Sequence, residues 1–91
     1  MLPVKQRQQL KSRAHHLKPV IMIGQAGLSE SLLKEAEIAI EHHELLKIKL
    51  PTVDRDQREA IIDRLCEALH AERIQSVGRT VTLYRKKRTE D

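Results

Sequence analysis

Aromatic side chains are nearly absent from this sequence of 91 residues, which has one tyrosine and no phenylalanine or tryptophan. This absence argues against the nucleic-acid-binding domains that stack bases on aromatic rings. The single cysteine excludes an internal disulfide framework and a cysteine cage for zinc, and it fits a reducing cytosol. No apolar run approaches the roughly 18 residues that a membrane span needs, and the chain does not start with an apolar signal-peptide core. The sequence therefore predicts one cytoplasmic domain that does not enter a membrane.

Positive charge is concentrated toward the two ends of the chain. The net charge is +4, and the isoelectric point is near 9.5. Residues 1–27 hold five basic and no acidic side chains, whereas residues 28–46 hold one basic and five acidic side chains. Residues 47–91 hold eleven basic and eight acidic side chains. A basic chain of this kind favours a polyanionic partner, although runs of charge also occur simply as solvated surface.

Apolar periodicity and turn residues predict seven elements in the order α-β-α-β-α-β-β. The predicted helices end near residues 17, 43 and 70, and the second and third begin at the N-caps Ser29 and Asp54. The predicted strands cover residues 20–23, 45–50, 74–77 and 80–84. Strands that alternate with helices imply right-handed crossovers. We therefore expect a single two-layer α/β domain with a four-stranded mixed sheet.

The feature most suggestive of function is the loop Gly24-Gln25-Ala26-Gly27, between the first strand and the second helix. Its glycines allow a tight turn and the close approach of another backbone. The loop also leads into a helix N-terminus, where free N–H groups and the helix dipole attract anions such as phosphate. A GxxG pattern by itself is more often an ordinary strand-to-helix turn, and it is neither a Walker loop nor a dinucleotide fingerprint. The loop alone therefore leaves both interpretations open.

Three motifs, in order along the chain, resemble the CRM (chloroplast RNA splicing and ribosome maturation) domain. They are LKPVIMIGQAGLS at residues 17–29, HELLKIK at residues 43–49 and QSVGRTVTLYR at residues 75–85. The resemblance covers nearly the whole chain and points to the stand-alone bacterial form, a small ribosome-assembly protein. It implies an RNA-binding module with a KH-like GxxG loop, on a fold similar to the C-terminal domain of bacterial translation initiation factor three. It also implies association with ribosomal RNA of the large subunit or its precursor.

The resemblance assigns RNA contact first to the loop. It places the backbone of Gly24 and Gly27 against the RNA chain, with Lys18 as a nearby cation. Many relatives carry a lysine in the middle of this loop, so Gln25 and Ala26 supply amides here rather than charge. Our hypothesis is that these amides seat one or two backbone phosphates, which would position RNA without reading its sequence.

Basic side chains elsewhere in the chain are expected to supply the positive field around the loop. Lys47 and Lys49 lie on the polar face of the predicted second strand, where they either extend the basic surface or simply face solvent. The residues expected to contact RNA are Lys11, Arg13, Lys18, Gly24, Gln25, Ala26, Gly27, Lys47, Lys49 and Arg85.

Neither catalysis nor a cofactor is predicted. The pairs His15-His16 and His42-His43 are adjacent in sequence, and neighbours on a helix diverge by about 100°, so neither pair is suited to share a metal ion. Cys66 is expected to be a small buried residue, because nothing in the sequence points to a histidine and a carboxylate around it. We therefore expect no metal, no cofactor and no enzymatic activity.

Two other functions remain open from the sequence. One is a protein-binding adaptor whose acidic second helix contacts a ribosomal protein or an assembly factor, and the other is a small enzyme that acts on RNA. The expectation that we test is a monomeric, cytoplasmic RNA-binding domain over residues 1–85, followed by a charged, flexible tail over residues 86–91.

Overall fold

A four-stranded mixed sheet forms the centre of the structure, a computed structural model that describes residues 2–87. The elements are α1 (Val4–Ala14), β1 (Ile21–Met22), α2 (Glu30–His43), β2 (Leu45–Lys49), α3 (Arg55–Leu69), β3 (Glu72–Val77) and β4 (Thr80–Tyr84). This order and the mixed α/β class confirm the prediction. Residues 88–91 of the predicted tail lie outside the described residues.

The strand order β1-β2-β4-β3 determines which loops meet. β1 runs parallel to β2, with Met22 beside Lys49, whereas β4 is antiparallel to both β2 and β3. Lys49 in turn pairs with Thr80 at the start of β4. The chain segments that follow β1 and β2 therefore lie at the same end of the sheet as the β3–β4 turn. We call this the loop end of the sheet.

Side chains of β2 alternate between the two faces of the sheet. Leu46, Ile48 and Leu50 are almost completely buried in the main core, which α2 and α3 cover. Leu45 faces the other way, into a smaller cluster with Leu10 of α1. The two-layer description thus fits the α2–α3 side, and α1 adds a partial third layer on the opposite face. α1 leaves the loop end of that face open, because Met22 and Val77 are 67% and 61% exposed.

The helix boundaries follow from local hydrogen bonds. The Ser29 hydroxyl accepts from the Leu32 amide at 3.1 Å, and Asp54 accepts from the Gln57 amide at 2.8 Å, which confirms both predicted N-caps. α1 ends at Ala14 rather than near Leu17, because the next amides bond three residues back instead of four.

An ion pair joins the sheet to α3 and makes stability depend on pH. The guanidinium of Arg73 donates to both carboxylate oxygens of Glu59, at 2.8 and 3.1 Å. This hydrogen bonding lowers the pKa of Glu59 from its ordinary value of 4.5. The pair therefore stabilises the fold above that ordinary pKa, and the contribution disappears as the pH falls through the lowered value in the folded state.

We expect the Glu59→Gln variant to lose this part of the pH dependence. Its unfolding free energy, measured by urea titration between about pH 6 and pH 3, should fall less steeply than that of the unmodified protein. Glu67→Gln is the matched control, because Glu67 lies on the same helix and forms no ion pair among residues 2–87. The unfolding free energy of this variant should retain the steeper fall. Equal slopes for the two variants would contradict the assignment to Glu59.

Candidate nucleic-acid interface

The loop from Gly24 to Gly27 lies on the surface and is closed by one internal hydrogen bond. The Gly27 amide donates to the Gly24 carbonyl at 3.0 Å. Gly27 has a φ of +82°, in the left-handed region that favours glycine, and a Cβ at this position would meet nothing within 4 Å. The amides of Gln25 and Ala26 donate no hydrogen bond to any residue between 2 and 87. Both residues are exposed, so their amides are available to an anion.

Contacts with two other chain segments fix the loop at the loop end of the sheet. The Ile23 amide donates to the Lys49 carbonyl at 2.9 Å, which continues the pairing of β1 with β2. The side-chain amide of Gln25 donates to the Thr52 carbonyl at 3.4 Å. The Thr52 hydroxyl accepts a hydrogen bond from the guanidinium of Arg79, in the β3–β4 turn. Three segments far apart in sequence thus meet at one place.

These segments enclose a shallow groove of about 190 Å³. We call it the loop-end groove and define it by Met22, Gly24, Gln25, Lys49, Thr52 and Arg79, which are among the residues that line it. Its donors include the backbone amide of Gln25 and the cationic side chains of Lys49 and Arg79, and none of the lining residues is acidic. Such a set of donors is suited to an anion, and in particular to a phosphate.

Most of the predicted basic residues lie on the side of the sheet that α1 occupies. The Lys47 ammonium donates to the carbonyls of Ala14 and Leu17, at 3.4 and 3.5 Å, so it lies against the end of α1. Lys11 and Arg13 are exposed in the last turn of that helix. Lys18 is exposed in the connection to β1, which the bond from the Val20 amide to the Lys47 carbonyl holds beside β2. These four side chains and Lys49 form what we call the basic face.

The basic face is not neutralised by carboxylates. The ion pairs within residues 2–87 join Arg7 to Glu72, Arg73 to Glu59, and Arg85 to two glutamates. None of the five residues of the basic face takes part in these pairs. Their charges therefore remain available to a polyanion.

Arg85 corrects one of our predictions. Its side chain is 8% exposed and donates to Glu37 at 2.5 Å, to Glu41 at 2.6 Å and to the Leu69 carbonyl at 2.8 Å. Hydrogen bonding to Glu37 is the main reason that the pKa of Arg85 is raised. Its amide bonds to the Glu44 carbonyl, at the end of the sheet opposite the loop end. Arg85 thus joins β4 to α2 and α3, and it does not supply charge around the loop.

Arg79 is the basic residue that the sequence reasoning missed. The predicted strands 74–77 and 80–84 leave only Gly78 and Arg79 between them, and in the structure these two residues form the turn between the antiparallel strands β3 and β4. The position of Arg79 beside Gly24 depends on β4 pairing with β2, which no local pattern indicates. A different strand order would have placed Arg79 away from the loop.

The structure offers little support for other chemistry at these positions. Cys66 is half-buried, and burial raises the pKa of its thiol, so its reactive thiolate form is disfavoured. Among residues 2–87, no group of three or more histidine, cysteine, aspartate or glutamate side chains could hold a metal ion. Within the same part of the chain, no helix has the length and apolar character needed to cross a membrane.

Comparison with known proteins agrees with the motifs found in the sequence. The family model of the CRS1 / YhbY (CRM) domain matches residues 2–85. A probable RNA-binding protein of Pseudomonas aeruginosa is 44% identical over 85 residues, which are 93% of this chain and 82% of that protein. An RNA-binding protein of Haemophilus influenzae is also 44% identical, over 92% of this chain and 85% of its own length. These names refer to RNA binding and none names a reaction, in agreement with the expectation that the chain is not an enzyme.

The fold has a close counterpart among solved structures. The solution structure of a hypothetical protein from Staphylococcus aureus superposes with a TM-score of 0.84 at 30% sequence identity. The match covers 100% of this chain and 95% of that one. The whole described fold, including the partial layer formed by α1, thus belongs to an arrangement already seen in a solved structure.

Proposed function

The chain belongs to the CRS1 / YhbY (CRM) domain family, and on this premise we propose that it binds RNA through the sugar–phosphate backbone. The observation that supports the proposal is the exposed loop whose free amides at Gln25 and Ala26 lie beside cations that form no ion pair within residues 2–87. The relatives named as RNA-binding proteins support the same partner.

The proposed contacts divide between the loop and the basic face. In the loop, the Gln25 and Ala26 amides bind phosphate oxygens, and the left-handed backbone of Gly27 turns the chain toward the N-cap of α2 at Ser29. Over the basic face, the side chains attract further phosphates along the same strand of RNA. The single tyrosine is half-buried against the α1 cluster, so base stacking contributes little to this mode of binding.

The more specific partner in our proposal is ribosomal RNA of the large subunit or its precursor. Backbone contacts position a protein on RNA without reading its sequence, so selectivity comes from the shape of a folded RNA, as ribosomal RNA offers. In this role a monomer in the cytoplasm binds during assembly of the subunit. Crosslinking the protein to RNA in cells and sequencing the attached fragments tests the assignment, and fragments without enrichment of ribosomal RNA would contradict it.

Binding should weaken steeply as salt increases, because RNA releases counterions when its phosphates are neutralised. With about four phosphates neutralised, the slope of log K against log salt is about −3, and binding weakens about 50-fold from about 50 to about 200 mM salt. Fluorescence anisotropy with a labelled RNA hairpin measures this slope. A slope near zero would contradict the electrostatic mechanism.

Two matched lysine variants test whether the basic face is responsible for the salt dependence of RNA binding. Lys18→Ala removes a charge of the basic face and should make the slope shallower by about 0.7 to 0.9. Lys34→Ala removes an exposed lysine from the acidic helix α2 and should leave the slope unchanged.

A protein-binding adaptor is the second candidate function, and the outer surface of α2 favours it. Ile38 is 71% exposed and lies between Glu37 and Glu41, beside a surface cavity of about 420 Å³. An apolar side chain among glutamates is suited to a basic protein segment with an apolar anchor. Purification after nuclease treatment at high salt separates the two functions, since a protein complex survives that treatment and an RNA complex does not.

A further inference from the structure

Arg79 lines the loop-end groove together with Gly24 and Gln25, and its guanidinium forms no ion pair within residues 2–87. We propose that Arg79 is a phosphate-binding side chain of the loop-end groove and that Thr52 holds it in place. The inference rests on the proposed RNA binding, and it adds a residue that lies outside the loop and outside the basic face. The ligand that it assigns to the groove is a phosphodiester of the RNA backbone.

The backbone holds Arg79 firmly even though its side chain is exposed. The Leu50 amide donates to the Arg79 carbonyl at 2.6 Å, which ties the β3–β4 turn to the end of β2. Gly78, just before it, has a φ of +57°, a turn conformation that suits glycine. The base of the arginine side chain is thus fixed at the rim of the groove.

Thr52 connects Arg79 to the loop. One guanidinium nitrogen, Nη1, donates to the Thr52 hydroxyl, and the carbonyl of the same threonine accepts from the side chain of Gln25. A guanidinium has five N–H donors in a planar fork, and this contact uses one of them. The remaining donors face no acceptor among residues 2–87 and can bind two oxygens of one phosphate.

Arg79 supplies positive charge to a groove whose loop residues carry none. Gln25 and Ala26 bring no charge to the loop, so the groove depends on neighbouring segments for positive potential. Three other arginines, Arg7, Arg73 and Arg85, are neutralised by glutamates, whereas Arg79 forms no ion pair within the described chain. A phosphate in the groove would therefore meet an arginine for which no carboxylate of residues 2–87 competes.

The test compares Arg79→Ala with Arg64→Ala, which removes from α3 one exposed arginine that has no ion pair with any described residue. Binding of a fluorescein-labelled RNA hairpin is measured by anisotropy over a range of salt. Arg79→Ala should bind about tenfold more weakly, with a salt slope shallower by about 0.7 to 0.9, since one phosphate contact is lost. Arg64→Ala should match the unmodified protein in both quantities. In Arg79→Ala the hydrogen bond from the Leu50 amide to the carbonyl of residue 79 can still form, because it does not involve the side chain. Circular dichroism verifies that both variants are folded.

Two further variants separate charge from positioning. Arg79→Lys keeps the charge but not the fork, so it should restore the salt slope and only part of the affinity. Thr52→Val removes the hydroxyl that holds the guanidinium, so it should weaken binding by about threefold with the slope unchanged. Loss of affinity in Thr52→Val without any in Arg79→Ala would contradict the proposed role of Thr52 as a support.

The outcomes distinguish this inference from the proposed function. If Arg79→Ala and Arg64→Ala bind alike while the unmodified protein shows its salt-dependent binding, the role of Arg79 is wrong and RNA binding stands. If the unmodified protein does not bind the hairpin, both proposals are wrong.

A third measurement replaces chloride with inorganic phosphate at equal ionic strength. A phosphate ion in the groove competes with an RNA phosphodiester for Arg79, so RNA binding by the unmodified protein should weaken in phosphate while that of Arg79→Ala does not change. An equal effect of phosphate on the two proteins would contradict the assignment of this phosphodiester site to Arg79.

Discussion

Gly27→Asp should bind RNA on the order of 100-fold more weakly than Gly27→Asn, because it places a negative charge where a phosphate is expected. The two side chains have nearly the same shape, and both residues tolerate the left-handed backbone that Gly27 adopts at a φ of +82°. Nothing within 4 Å would obstruct the new Cβ. Any backbone strain is therefore shared, and the difference between the variants reports charge alone.

Titration of the labelled RNA hairpin with each variant measures the difference. Thermal unfolding, followed by circular dichroism, serves as the control and should give similar midpoints for the two variants. If Asp and Asn at position 27 bind RNA equally well, the loop is an ordinary strand-to-helix turn, and RNA contact belongs elsewhere on the surface.

Arg85→Met should destabilise the fold by about 2–3 kcal/mol and leave RNA binding of the folded protein unchanged. Removing one member of a buried ion pair costs about 3–5 kcal/mol, because the remaining charge is left without a partner. We expect a smaller value here, since the side chains of Glu37 and Glu41 are 46% and 40% exposed and water screens them. The Leu69 carbonyl also loses its donor.

Urea unfolding measures this effect, and thermal unfolding should show a midpoint about 10–20 °C lower. Arg64→Met is the control, because an exposed arginine without an ion pair among the described residues should change stability by less than about 0.5 kcal/mol. RNA titrations at a temperature where both variants are folded complete the comparison. Weaker RNA binding by folded Arg85→Met would restore the original expectation that Arg85 belongs to the binding surface.

Features that depend on neighbouring residues could be predicted from the sequence. The N-caps at Ser29 and Asp54 use hydrogen bonds to residues three positions ahead, so the residue types alone indicate them. The alternation of apolar and basic residues in β2 likewise predicts a strand with one buried face, and Leu46 and Ile48 are buried as expected. These predictions succeed because hydrogen bonds and side-chain alternation within a few residues determine the features concerned.

The positions of the arginines could not be predicted in this way. Arg79 and Arg85 are six residues apart in a stretch of the chain that is rich in basic residues. The charge pattern of the sequence therefore does not indicate that their environments differ. In the fold they lie at opposite ends of β4, one beside Thr52 and the other between the glutamates of α2. The partners of Arg85 lie 44 and 48 positions away in sequence, so only the tertiary arrangement assigns one arginine to the groove and the other to the interior.

The construction of the loop-end groove from three separate segments has a consequence for the protein during its own synthesis. Gly24 is translated early, Thr52 in the middle and Arg79 near the end, and β4 must insert beside β2 before the three can meet. A nascent chain that ends at α3 has the glycine loop but neither β4 nor Arg79. The complete groove therefore forms only after β4 has left the ribosome, and a nascent chain without β4 lacks the complete set of groove contacts for RNA.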